Sequence, residues 1–221
     1  MTASKGTKSL VDDRISRWQA IAKIDPQAAQ DAAWAWLERL GAALPGDAAQ
    51  TELAQLFAAG TPAVVDGQTE GMLVGWTAPD ADLDRTGRVL HAVAKTATTR
   101  LGLMPWLGKK FDRSAQRGTN SISTTASHLM QLLPGYRMRH AGDHWEGFDM
   151  LTRIEASVVA PETRVLVLDY EAIGSNPWPI NRIRDEAVQI ASGVYLGAKL
   201  WHQDNGYRQL AYWAAKSPIA A

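Results

Sequence analysis

The chain of 221 residues is 46% hydrophobic, enough for a substantial core, and carries Lys+Arg and Asp+Glu at 23 each, a formal net charge of zero. That balance excludes a generic nucleic-acid surface and a binder of anionic membranes, since both need a positive field. The lack of cysteine excludes disulfides, thiol catalysis and Cys-based zinc sites.

Met1–Leu10 leads into charged text without the apolar core of a signal peptide, and no apolar run approaches membrane-spanning length. The expectation is a cytoplasmic protein that does not insert into membranes. The first sixty or so residues carry helical stripes. Ser9 is placed to cap a helix lined by Val11, Ile15, Trp18 and Ala22. Asp25-Pro26 starts a second, with Ala29, Ala33, Trp36, Leu37 and Leu40 on one side and Gly41 as its end. After Pro45-Gly46, Asp47 with Gln50 resembles a capping box, and Leu53, Leu56 and Phe57 line the third helix up to Gly60. Such stripes must bury against something, so residues 1–66 are expected to pack as helices on a barrel formed by 67–221, all one structural domain.

The first convincing strand is 71–77. Asp80 to about Leu101 returns to helical spacing through Leu83, Leu90, Val93 and Leu101, and 104–123 reads as a strand pair with a turn. A helical turn over Thr125–Leu133 would end at Pro134-Gly135. Beyond it the text alternates at period two: Tyr136, Met138 and His140 share a phase, as do Phe148, Met150, Thr152 and Ile154, with Ala141-Gly142-Asp143 as the hairpin turn between the two strands. Arg164–Glu171 is a further strand. Residues 174–185 read as a loop with one helical turn, and Arg182, Arg184, Asp185 and Glu186 as a surface ion-pair group. Three more strands, 186–190, 193–202 and 207–216, complete a meander, the last two joined at Asn205-Gly206. The fold class expected is mainly β, α+β overall: an antiparallel, calycin-like β-barrel with an N-terminal helical layer.

Two Trp/Gly segments carry a family resemblance. Gly71-Met72-Leu73-Val74-Gly75 and Trp106-Leu107-Gly108-Lys109-Lys110-Phe111 resemble, in order, the first strand and the downstream Trp-Tyr-Gly-Lys-Arg-Phe segment of lipocalin-like barrel proteins named for a Gly-x-Trp-x-Gly motif. Leu73 stands where the naming tryptophan would be. Val194-Tyr195-Leu196-Gly197 looks like that family's late strand, so the resemblance spans roughly 67–213. It implies a barrel cavity for an apolar molecule and supplies no catalytic residues.

Facing can be tested by phase. On 193–202, the set Val194, Leu196, Ala198, Leu200 and His202 is expected to face the interior, leaving Tyr195, Lys199 and Trp201 outside. If Asp169 faces in with Val165 and Val167, it is placed to orient a histidine base, His202 or His140, with Tyr170 as a hydrogen-bond donor. The expected ligand wall comprises Trp76, Trp106, Phe111, Tyr136, Met138, Phe148, Met150, Trp178 and Leu196. Of Lys109 and Lys110 only one can face inward, and Lys109 is taken as the ligand-facing one. His140 and His144 are four apart, but Gly142-Asp143 between them is hairpin text, so no metal site is expected. No phosphate loop or dinucleotide motif appears, so no cofactor is expected either. The function expected is binding of a hydrophobic or polycyclic small molecule, either as a cofactor-independent cyclase, isomerase or lyase or as a non-catalytic carrier. Nucleic acid is not an expected partner, and homo-oligomerisation stays open.

Overall fold

Helical stripes and period-two alternation both find a partner surface in the folded chain. The computed structural model describes residues 10–77, 83–100, 106–124 and 136–219. The cap expected at Ser9, the ends of the helix expected over 80–101 and the turn expected over 125–133 lie outside the described residues. Helices α1 (Leu10–Ala22), α2 (Pro26–Ala42) and α3 (Asp47–Ala59) come first. Asp25 caps α2 by accepting from Ala28 N–H at 2.9 Å. The capping box expected at Asp47 does not form: Gly46 is the cap residue, and Gln50 reaches back to the Pro45 carbonyl. Gly41 does not end α2 either. It is where β3 passes close, since a Cβ there would lie 2.3 Å from the Val74 carbonyl oxygen.

The strands are β1 (Thr61–Pro62), β2 (Gly67–Gln68), β3 (Glu70–Trp76), β4 (Trp106–Asp112), β5 (Arg117–Ser123) and β6 (Arg139–Ala141). They continue with β7 (His144–Ala156), β8 (Arg164–Asp169), β9 (Ile183–Ala191), β10 (Val194–Gln203) and β11 (Gly206–Lys216). A fourth helix, α4 (Arg85–Arg100), lies between β3 and β4. The strand expected from 186 begins at Ile183, which puts Arg184 and Asp185 on β9 rather than in a loop. All pairings are antiparallel. The short segments β2 and β3 form one bent stretch that pairs with β4 at its start and with β11 over the rest. Counting that stretch once, the ring β2/β3, β4, β5, β7, β8, β9, β10, β11 has eight positions and comes nearly to closure. A barrel of about this size is just wide enough to fill with side chains or to hold one small ligand.

Closure runs through Thr69 and Gly108. Thr69 N–H donates to the Lys109 carbonyl at 2.8 Å, and Lys109 N–H donates back to Thr69 Oγ1 at 3.1 Å. A Cβ on Gly108, whose φ is +151°, would sit 2.0 Å from the Thr69 carbonyl oxygen, so only glycine permits this approach.

Two large cores share the sheet, with a smaller cluster of Leu83, Trp201, Leu210 and Ala211 beside them. Outside the ring, Trp18, Leu37, Leu53, Leu56 and Phe57 of the helices pack on Val165, Val167, Val188, Val194, Leu196 and Leu200. Inside, Phe111, Phe148, Met150, Leu166, Leu168, Tyr170, Tyr195 and Trp213 pack together. The facing expected for β10 is therefore reversed. Val194, Leu196, Ala198 and Leu200 meet the helices, while Tyr195 and Lys199 face the barrel interior. No described helix is long and apolar enough to cross a membrane.

Candidate functional site

One end of the barrel interior holds a cavity of about 230 Å³. Its apolar walls include Leu73, Trp106, Ile122, Phe148, Ile183 and Trp213, and Ala94 and Thr98 of α4 cover part of it. Helix α4 is tied there by Trp76, whose Nε1–H donates to Thr98 Oγ1 at 2.9 Å and whose ring meets His91 edge-on.

Glycines shape the walls. A Cβ on Gly71 would meet the Trp106 ring at 2.6 Å, and one on Gly197 would meet the Trp213 ring at 2.0 Å. Each indole thus lies against bare backbone, and the two rings meet edge-to-face with centroids 5.8 Å apart. Bulges set the facing. A register shift between Trp106 and Gly108 lets Trp106 and Lys109, of opposite phase, both point inward. Phe148 sits at φ +56°, rare for an aromatic residue, at the bulge where β7 gains one residue against β5. Tyr136 stacks on its ring and accepts from its N–H, and its carbonyl accepts from Asn120 Nδ2 at 3.0 Å.

Charge is concentrated at one end. Lys109 is only 2% exposed, and its ammonium donates to Tyr170 Oη at 2.5 Å, Asn120 Oδ1 at 3.0 Å and Asp185 Oδ2 at 3.0 Å. These three acceptors use all its hydrogens. Tyr170 Oη–H donates on to Asp185 Oδ2 at 3.2 Å. The other carboxylate oxygen, Oδ1, has no hydrogen-bond partner among the described residues, and Lys199 Nζ stands 3.5 Å from it. Burial pulls the Lys109 pKa down to about 8, against the pull of Asp185 upward, and the nearby Lys199 lowers it further. Burial and the Asp185 charge push the Tyr170 hydroxyl well above its ordinary value, so it stays protonated. Burial would raise the Asp185 carboxyl, but Lys199 and Lys109 outweigh it and hold it below the ordinary value.

The residues expected from sequence are scattered by comparison. Trp76, Trp106, Lys109, Phe148 and Tyr170 line the cavity. Met150 and Phe111 are interior core residues outside that lining, while Tyr136 and Met138 pack beside it. Lys110 points outward to Glu146 at 2.9 Å. Leu196 lies under the helices, and Trp178 is 56% exposed. The expected catalytic histidines are not brought to the cavity. His202 stacks on Tyr207 and meets Glu171 at 3.0 Å, and His140 is exposed beside Trp145. Asp169 faces out and binds Arg153 at 2.6 Å, because strand phase puts it with Val165 and Val167 on the outer side. Three of the supposed surface group are buried: Arg184 nearly so and Asp185 and Glu186 fully, with Glu186 held by Arg184 and Ser157 on the outer side, while Arg182 is half-buried and donates to the His202 carbonyl at 3.0 Å.

Asp185, Asn120 and Lys199 are the members the sequence reading missed. Asn120 stands two residues from Gly118 and Ile122, a polar residue on an inward strand phase. Asp185 shares the phase of Ile183 and Ala187, a signal visible once the strand is begun at 183.

No family model matches the chain, and no curated protein matches it. Among solved structures, the crystal structure of a protein from Thermomonospora curvata aligns with 83% of this chain and 98% of its own, at 16% identity and a TM-score of 0.39.

Proposed function

We propose that the barrel binds one small, mostly apolar molecule in the cavity between Trp106, Trp213 and α4. The observation that carries this is an aromatic-walled cavity of about 230 Å³ with its polar groups gathered at one end, the usual form of a ligand site. An engineered cavity of about 150 Å³ accepts benzene, so about two fused rings fill this one, and its half-open mouth lets a further ring extend toward solvent. The resemblance of Gly71–Gly75 and Trp106–Phe111 to lipocalin-like barrel proteins supports the same reading. A second reading, cofactor-independent isomerisation, cyclisation or elimination, is favoured by the convergence of Lys109, Tyr170 and Asp185 on one spot.

The test is titration with N-phenyl-1-naphthylamine, a neutral dye that fluoresces in apolar sites. Saturable fluorescence in the parent, lost in the cavity-filling variant Ile122→Trp with an unchanged circular dichroism spectrum, is the expected result. Equal dye binding by both proteins, or none by the parent, contradicts the proposal. Native mass spectrometry of protein incubated with a cell extract then separates carrier from enzyme, according to whether the molecule it retains is recovered unchanged or chemically altered.

A further inference from the structure

The cavity holds two cations and one anion. Lys109, Lys199 and Asp185 are the charged side chains among the described residues that line it, so one positive charge is left without a partner. Lys109 does not carry that surplus in any usable way, because Tyr170, Asn120 and Asp185 take all its hydrogens. Lys199 does. It makes an ion pair with Asp185 Oδ1 at 3.5 Å without a hydrogen bond, so its donors stay available to the cavity. The Trp106 and Trp213 rings wall the same cavity, with the Lys109 ammonium 5.2 Å and 4.9 Å from their centroids.

Resting on the proposed ligand cavity, we infer that the ligand is a monocarboxylic acid with an apolar, ring-sized body, its carboxylate received by Lys199 and its body by the Trp106 and Trp213 rings. Charge decides among the alternatives. A cation would add to the surplus, and a neutral alcohol would leave it compensated only by the water that reaches Lys199, whose side chain is 32% exposed. A dianion would reverse it, leaving a buried negative charge. A monoanion brings the site to neutrality and supplies oxygen acceptors to the Lys199 ammonium. The Asp185 carboxylate does not oppose this, because Lys109 neutralises it and Lys199 stands beside its free oxygen.

The experiment compares 2-naphthylacetate with its neutral isostere 2-naphthylacetamide at pH 7, by calorimetry and by displacement of N-phenyl-1-naphthylamine. The acid should bind at least about tenfold tighter than the amide, the scale of one charge-assisted hydrogen bond. That preference should vanish in Lys199→Met and return in Lys199→Arg, with amide binding retained in both. Equal affinity of acid and amide, or a preference that survives Lys199→Met, overturns the carboxylate assignment while dye binding leaves the cavity reading standing. Loss of dye, acid and amide binding together overturns both.

Discussion

Lys109 sits where a lone ammonium would be costly, and it remains there because Asp185, Asn120 and Tyr170 each take one of its hydrogens. Removing it strands the Asp185 charge with Lys199 alone. Lys109→Met should therefore cost about 3–5 kcal/mol in urea unfolding, and pairing it with Asp185→Leu should recover much of that loss. Additive losses in the double variant would show that the two groups do not compensate each other. The pKa of Lys109 is about 8 in the fold against an ordinary 10.5. Between those values the unfolded chain binds the extra proton, so stability due to this group rises with pH. The parent's urea midpoint, relative to that of Lys109→Met, should climb from pH 8 to 10.5 and be flat below. A relative midpoint that falls over that window contradicts the direction of the shift. His202 is a contrasting case. Its ring stacks on Tyr207 with centroids 4.7 Å apart and pairs with Glu171, away from the cavity. His202→Ala should leave dye affinity within about twofold of the parent, an energy difference of under about 0.5 kcal/mol. A larger change would connect this surface cluster to the site.

Among the elements, the bulged strands decide what the barrel encloses. Gly108 takes φ +151° against the Thr69 carbonyl, where the bent stretch β2/β3 meets β4. Gly108→Val should cost at least about 3 kcal/mol and blunt the thermal transition, since strain and overlap add at the closure. Gly142, at φ +65° in the β6–β7 turn, stands in open space, where a Cβ would meet nothing within 4 Å. Gly142→Asn, which tolerates that backbone, should shift stability by less than about 0.5 kcal/mol. Equal melting of the two variants would mean that closure does not depend on Gly108. Helix α4 belongs to the same scale: it shows Val89 and Val93 to solvent and turns Ala94 and Thr98 to the cavity.

For the molecule as a whole, the sheet is a wall with a core on either side, and the two cores should respond separately. Leu196 is fully buried under the helices. Leu196→Ala should cost about 2–5 kcal/mol of stability with dye affinity unchanged in the folded protein. Ile122→Ala, on the cavity wall, should alter dye affinity as well. If Leu196→Ala changed affinity as much as Ile122→Ala, the two sides of the sheet would be energetically coupled through β10.

Some of this is written locally in the chain. Period-two alternation after Tyr136 and the Asn205-Gly206 turn dictate antiparallel hairpins, because those signals act between residues close in sequence. The stripes through Trp18, Leu37, Leu53 and Phe57 likewise dictate helices that must cover something. Strand facing is another matter. Strands β9, β10 and β11 are covered on both sides, so Val194 and Leu196 are as buried as Tyr195, and phase alone cannot say which set looks inward. The bulges at Trp106–Gly108 and at Phe148 then change phase within strands, which no alternation count anticipates. The site itself is drawn from β4, β5, β9 and β10 and from Tyr170 just after β8. Lys109 and Asp185 lie 76 residues apart, and only closure of the ring puts that ammonium and that carboxylate 3.0 Å from each other, where burial makes each require its partner.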